Sequence, residues 1–215
     1  MILYINMRKH KFVIGEYYHI YNRGVDKRKT IIDENDLYRF LKSIKEFNTK
    51  KPIGSIYELS FVKNKLGTPS TKLSEKLVSI IAYCINSNHF HLLLTPLMEK
   101  GIEKFMQKIA GYTRYFNEKY KRSGVLFQGK FKSKHISDNN YLLKLSAYIN
   151  MNNRETLGSP TTKLSKSSLE EYLGNVNGIC DIKIISEQFK NPKEYSKFAS
   201  EAWQDTLEKK ILSQF

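Results

Sequence analysis

The sequence has little cysteine, proline and acid, and no long apolar run. Its two cysteines, Cys84 and Cys180, are too few for a disulfide framework and fit a reducing compartment, the cytoplasm. No apolar run approaches the roughly 18 residues that span a bilayer, so no membrane association is expected. The first ten residues lack the apolar segment of a signal peptide, so secretion is not expected either. Proline and glycine are few, five and eleven in 215 residues, while 40% hydrophobic and 13% aromatic residues supply material for a core, which excludes a disordered tail protein. Acid is the telling shortage. There are 21 Asp and Glu against 36 Lys and Arg, a formal charge of +15. Lys166 to Phe215 holds seven basic and eight acidic residues, so the first 165 residues carry 29 and 13, essentially the whole excess. An asymmetry of this kind fits a polyanion-binding body followed by a neutral extension, with nucleic acid as the leading partner. A basic protein without such a partner is the plainer alternative.

Periodicity gives a coarse map. Tyr17 to Asn22 is aromatic and β-branched and ends at Arg23-Gly24, as a strand running into a turn does. Asn35 is a candidate cap for a helix carrying Leu37, Phe40, Leu41 and Ile44 at helical spacing. Residues 50–76 are polar and interrupted by Pro52, Gly54, Gly67 and Pro69, which marks a loop insert. Ile80 to Ile85 and His89 to Thr95 are apolar strands joined by the turn former Asn86-Ser87-Asn88. Ile102, Phe105, Met106, Ile109 and Phe116 mark one face of a second long helix. Val125 to Ile136 is strand-like. A third helix starts near Ser137-Asp138 with Leu142, Leu145 and Ile149 as its buried stripe. The order β-α-β-β-α-β-α predicts an α+β fold, a ferredoxin-like or RRM-like antiparallel sheet with helices on one face and the other open to a ligand. Residues 8–157 are expected to form this domain. Residues 158–215 form a mostly helical accessory extension, with helical spacing over Pro192 to Leu212. The nine-residue stretch Leu66 to Ser74 recurs with two changes at Leu157 to Ser165, too short a unit for a repeat architecture.

Three features bear chemistry. His89-Phe90-His91 on a strand places both imidazoles on one face and Phe90 in the core. Imidazole nitrogens suit a divalent metal, although two half-buried histidines on a sheet are the simpler reading of so short a motif. Tyr148 and Asn152, four apart on the third helix, share a face. A tyrosine there is either a nucleophile or a packed aromatic, and composition does not choose among 14 tyrosines. Finally, Lys119 to His135 holds six Lys and Arg and no acid, with Tyr120, Phe127 and Phe131 interleaved. Cations track phosphates and aromatic rings stack on bases, so this composition suits single-stranded or hairpin DNA. Arg23, Lys27, Arg28 and Lys29 form a second basic cluster.

Four segments then carry a resemblance: Tyr18-His19-Ile20-Tyr21-Asn22-Arg23-Gly24, the run from Ala82 to Leu94 containing Asn88-His89-Phe90-His91, Gly124-Val125-Leu126-Phe127-Gln128-Gly129-Lys130-Phe131, and Tyr148-Ile149-Asn150-Met151-Asn152. In this order, over roughly residues 8 to 155, the chain resembles the IS200-like transposases, nearest the REP-associated tyrosine branch. It departs from their pattern at Asn86-Ser87, where Met-Pro is usual, and at Asn153, where proline is usual. The resemblance implies a metal-dependent single-strand DNA endonuclease and strand transferase with a 5′-phosphotyrosine intermediate. Tyr148 is then the nucleophile, and His89, His91 and Asn152 hold Mg²⁺ or Mn²⁺. DNA contacts fall to Arg23, Lys27, Arg28, Arg114, Arg122, Phe127, Gln128, Lys130, Lys132 and Lys134. The protein acts as a monomer or homodimer on single-stranded or hairpin DNA. It assigns no chemistry to the extension, so cleavage is expected to survive truncation after Gly158. A non-catalytic nucleic-acid-binding relative and a rolling-circle initiator or relaxase-like nicking enzyme are the alternative functions.

Overall fold

The computed structural model describes residues 11–52, 54, 56, 75–154 and 163–212. Most of the 50–76 insert, the first of the two repeated stretches and residues 155–162 lie outside them. Strand β1 (Tyr17–Arg23) leads through a short 3₁₀ turn (Val25–Lys27) to α1 (Glu34–Glu46). Strands β2 (Val78–Ile85) and β3 (His89–Pro96) follow, then α2 (Gly101–Ile109), α3 (Tyr112–Lys119), β4 (Lys132–Ile136) and α4 (Asn139–Met151). The remainder holds β5 (Lys166–Ser167), two single-turn helices, α5 (Leu169–Tyr172) and α6 (Lys183–Ser186), and the long α7 (Pro192–Leu212).

Local chemistry accounts for the starts. Asp33, rather than Asn35, caps α1: its side chain accepts from Asp36 N while Asp36 accepts from Asp33 N, a reciprocal capping box. Asp138 caps α4 by accepting from Tyr141 N. The helix expected through Phe116 is interrupted at Ala110–Gly111 and becomes α2 and α3.

The five strands are antiparallel in the order β4-β1-β3-β2-β5. The first four in that order are the ferredoxin-like arrangement, so the α+β class and the antiparallel sheet hold. The helices, however, do not share one face. Phe90, Leu92 and Leu94 of β3 enter a core with Phe40 and Ile44 of α1, Phe105 and Ile109 of α2, and Tyr112 and Phe116 of α3. On the opposite face Leu93, Ile81, Ala82 and Cys84 pack against Leu142, Leu145 and Ile149 of α4 and against Tyr172, Tyr195 and Trp203. The reason lies in β2, where all eight residues are buried. A strand apolar on both faces needs cover on both. A register shift between Ile80 and Ala82 turns consecutive residues toward the second core. What stays open is the end of that second face, beyond Leu93, where β3 begins. Among the described residues, no helix is long and apolar enough to cross a membrane.

Candidate functional site

Strand alternation puts His89 and His91 on the second face, and Phe90, 3% exposed, in the first core. In the β1–β3 register Arg23 lies opposite His89 and Tyr21 opposite His91, so His19, Tyr21 and Arg23 share the histidines' face. Helix α4 crosses this face and sets the Tyr148 ring perpendicular to that of His91, with centroids 5.7 Å apart. Asn152 terminates α4, which carries its amide to the mouth of the sheet.

Hydrogen bonds fix the imidazoles. Asn88 Nδ2 donates to the Lys27 carbonyl at 3.2 Å, which turns Asn88 Oδ1 toward His89 Nδ1, 2.6 Å away. An oxygen acceptor at that distance places the proton on Nδ1 and the lone pair on Nε2. His89 Nε2 lies 3.2 Å from Asn152 Oδ1 and 3.0 Å from Asn86 Nδ2. His91 Nδ1 lies 2.9 Å from Nε2 of a third histidine, His19. His19 is 8% exposed. Burial, with a smaller contribution from the Lys134 charge, pulls its pKa down to about 4, so at neutral pH it is uncharged. With His19 Nε2 as acceptor, His91 carries its proton on Nδ1 and turns Nε2 into a ligand-competent nitrogen. Burial raises the Tyr148 phenol above its usual range, while hydrogen bonding to Asn152 and the Arg23 charge oppose the shift.

His89, His91, Tyr148 and Asn152 line a cavity of about 610 Å³. Tyr21, Asn22, Arg23, His89 and His91 come from the sheet, Gln128 and Lys132 from β4 and the loop before it, and Tyr148, Asn152 and Arg154 from α4 and its end. Trp203 and Leu207 of α7 close one side, and the Trp203 ring lies 5.9 Å from that of Tyr148. Among the described residues no three His, Cys, Asp or Glu side chains form a metal cluster. The donor set is instead two imidazoles and an amide oxygen, which suits an ion that keeps water or phosphate in its remaining positions.

The structure thus brings Tyr148, His89, His91, Asn152, Arg23, Gln128 and Lys132 together. Other expected DNA contacts lie elsewhere. Phe127 and Lys130 line a second cavity of about 690 Å³ with Phe90 and Met106 of the first core. Lys27 and Arg28 sit at the 3₁₀ turn, with Arg28 3.5 Å from Asp26. Arg114 is paired with Glu118 at 2.7 Å, and the Arg122 guanidinium covers the Phe116 ring. Lys134 reaches the Tyr141 hydroxyl at 3.0 Å. Sequence reasoning assigned no role to His19, Tyr21, Asn22, Arg154, Trp203 or Leu207. Alternation from Arg23 back along β1 marks His19 and Tyr21, whereas nothing local in the sequence marks Trp203.

An antiparallel α+β body with a strand histidine pair facing a helix tyrosine across a basic cavity defines a class of site fitted to a phosphate-bearing ligand. Residues 62–152, the segment that carries the histidines, Tyr148 and Asn152, match the family model described as Transposase IS200 like. A solved structure described as "Structure of the REP associates tyrosine transposase bound to a REP hairpin" is 13% identical, with a TM-score of 0.41 over 68% of this chain and 71% of that one. No curated protein matches.

Proposed function

We propose that the protein is a divalent-metal-dependent single-stranded DNA endonuclease and strand transferase in which Tyr148 is the nucleophile. The observation that carries this reading is the convergence of Tyr148, His89, His91 and Asn152 on one cation-lined cavity. The Tyr148 oxygen attacks a backbone phosphorus, forming a tyrosyl–phosphorus bond while the bond from phosphorus to the departing 3′ oxygen breaks. The phenol loses its proton and the 3′ oxygen gains one, leaving a 5′-phosphotyrosine and a free 3′-OH. Attack by a 3′-OH reverses the step and rejoins DNA without a nucleotide cofactor. Arg23 favours the phenolate and, with Lys132, supplies positive charge for the phosphate. His89 Nε2, His91 Nε2 and Asn152 Oδ1 are the groups that would hold Mg²⁺ or Mn²⁺, which when bound supplies Lewis-acid polarisation of a non-bridging oxygen. The tautomer of His89 fits this use, since its proton is committed to Asn88. DNA that is single-stranded or folded as a hairpin is the substrate this reading implies.

The test is cleavage of single-stranded oligonucleotides with and without metal. Excess chelator is expected to stop cleavage, with Mn²⁺ restoring it at lower concentration than Mg²⁺ because imidazole favours the later ion. His89→Ala and His91→Ala are expected to bind DNA without cutting it. Full cleavage in chelator would make the histidines structural. A wild-type protein that binds DNA but never cuts it would leave the non-catalytic binding reading.

His19 carries a separate expectation. Its Nε2 lies 2.9 Å from His91 Nδ1, so His19→Ala is expected to weaken Mn²⁺ binding by about tenfold, the lower end for a lost orienting partner. His19→Gln, whose amide oxygen still accepts, should recover part of the loss. Equal Mn²⁺ affinity in all three proteins would make His19 a packing residue.

A further inference from the structure

Resting on the metal reading above, we infer that Asn86 is a fourth protein ligand of the same ion, held ready by an amide that reverses when the ion binds. Asn86 sits at the β2–β3 turn, 9% exposed, and its main-chain N–H donates to the His89 carbonyl at 2.8 Å. This bond ties the residue to the strand that carries both histidines. Its side chain reaches across the mouth of the sheet to the end of α4. There Nδ2 lies 3.0 Å from His89 Nε2, 2.9 Å from Asn152 Oδ1 and 3.4 Å from the Asn152 carbonyl.

All three of those neighbours are acceptors. His89 Nε2 presents a lone pair because its other nitrogen donates to Asn88, and the two Asn152 atoms are oxygens. Two amide hydrogens therefore face three lone-pair groups. This electropositive NH₂ occupies the neighbourhood that a cation would satisfy more fully. It keeps the acceptors from repelling one another, and the amide is assigned in this orientation from that network.

The spacing extends the argument from a placeholder to a ligand. The edges between Asn86 Nδ2, His89 Nε2 and Asn152 Oδ1 are 3.0, 2.9 and 3.2 Å, close to an equilateral triangle. Adjacent ligands of an octahedral ion with bonds of about 2.1 Å are separated by about 3.0 Å. A half-turn about the Asn86 Cβ–Cγ bond exchanges Nδ2 for Oδ1 at nearly the same position and leaves the backbone in place. The triangle then presents three lone-pair donors at the spacing of one octahedral face. His91 would supply a further nitrogen, leaving the remaining positions to water or phosphate oxygens. The two arrangements of the amide explain how one residue serves both forms. The N–H₂ edge holds the triad together, and the oxygen edge would serve a bound ion.

The experiment is Mn²⁺ titration of the full-length, DNA-free protein, with free Mn²⁺ read by electron paramagnetic resonance, so that no cleavage is involved. Asn86→Leu keeps the side-chain size and removes both amide atoms. It is expected to weaken Mn²⁺ binding roughly tenfold or more, at least the loss typical of a metal-orienting partner. Asn86→Asp keeps an oxygen in place and adds charge, so it is expected to bind Mn²⁺ more tightly than wild type. If Asn86→Leu binds Mn²⁺ as well as wild type or better, the amide only obstructs the site and the ligand assignment is overturned. Should Asn86→Leu misfold by its melting curve, Asn86→Asp decides alone, and weaker binding there overturns the assignment equally. Absence of saturable Mn²⁺ binding by wild type itself, with or without DNA, would instead overturn the metal reading on which this inference rests.

Discussion

Tyr148→Phe is expected to abolish the covalent protein–DNA adduct and to lower cleavage by at least ~10³-fold, because the attacking oxygen is gone and no step replaces it. The fold should survive the change. The Tyr148 ring packs against His91 and Trp203, and phenylalanine keeps that ring. The lost hydroxyl forfeits its hydrogen bond with Asn152, worth about 1 kcal/mol. Binding of single-stranded DNA should also remain, since Arg23 and Lys132 are untouched. The measurement is a denaturing gel of protein incubated with labelled oligonucleotide, alongside a thermal melt. An adduct of undiminished yield in Tyr148→Phe would move the nucleophile to another residue. Loss of adduct with loss of fold would point to a structural role for the hydroxyl. The pH dependence of the wild-type reaction adds a check. Because burial raises the Tyr148 pKa, the phenol is protonated at neutral pH, and cleavage is expected to accelerate as pH rises from 7 toward the folded-state pKa.

Local pattern carried much of this site. His89-Phe90-His91 reads as a strand with two imidazoles on one face because strand alternation is rigid, and Phe90 lies in the core as that alternation requires. Tyr148 and Asn152 share a helix face by the same kind of counting. What counting along one element does not give is which sheet face a helix covers. Leu142, Leu145 and Ile149 announce a buried stripe, but the partner of that stripe is set by tertiary packing. The unbroken apolar run Ile80 to Ile85 was the one sign that both faces are covered. His19 stood in a recognised motif without a role, because its bond to His91 crosses 72 residues of sequence. Asn86 was visible as part of a turn former and as a departure from a family pattern. Its contact with Asn152 joins a turn to the end of a helix 66 residues later. Trp203 was legible as part of an amphipathic helix, while its place beside Tyr148 was not.

Shortening the chain after Gly158 is the change with the largest expected effect on stability, and here the packing points opposite to the charge pattern. The near-neutral segment from Lys166 onward looks detachable because it contributes nothing to the basic excess. In the fold, however, Leu169, Tyr172, Ile185, Tyr195, Ala199 and Trp203 are all at most 5% exposed and share one core with Ile81, Leu93, Leu145 and Ile149. Polar contacts reinforce the join. The Ser168 main chain donates to the Tyr83 carbonyl at 3.0 Å, and the Tyr172 hydroxyl donates to the Ile81 carbonyl at 2.8 Å. The Asn150 amide, on the helix that carries Tyr148, donates to the Tyr195 hydroxyl at 2.6 Å. Removing one large buried aromatic side chain costs about 3–5 kcal/mol, and a whole domain is stable by only about 5–15 kcal/mol. Loss of several such groups together exceeds that margin. Residues 1–158 alone are therefore expected to be aggregated, or to show no cooperative melt, at temperatures where the full chain is folded. The milder Trp203→Ala is expected to lower stability by about 3–5 kcal/mol and to open one wall of the cavity beside Tyr148. Melting curves and near-ultraviolet circular dichroism of the three proteins check both statements. A 1–158 fragment that melts cooperatively within a few degrees of the full chain would show that α4 and the sheet are complete without α7, and that the extension is an accessory.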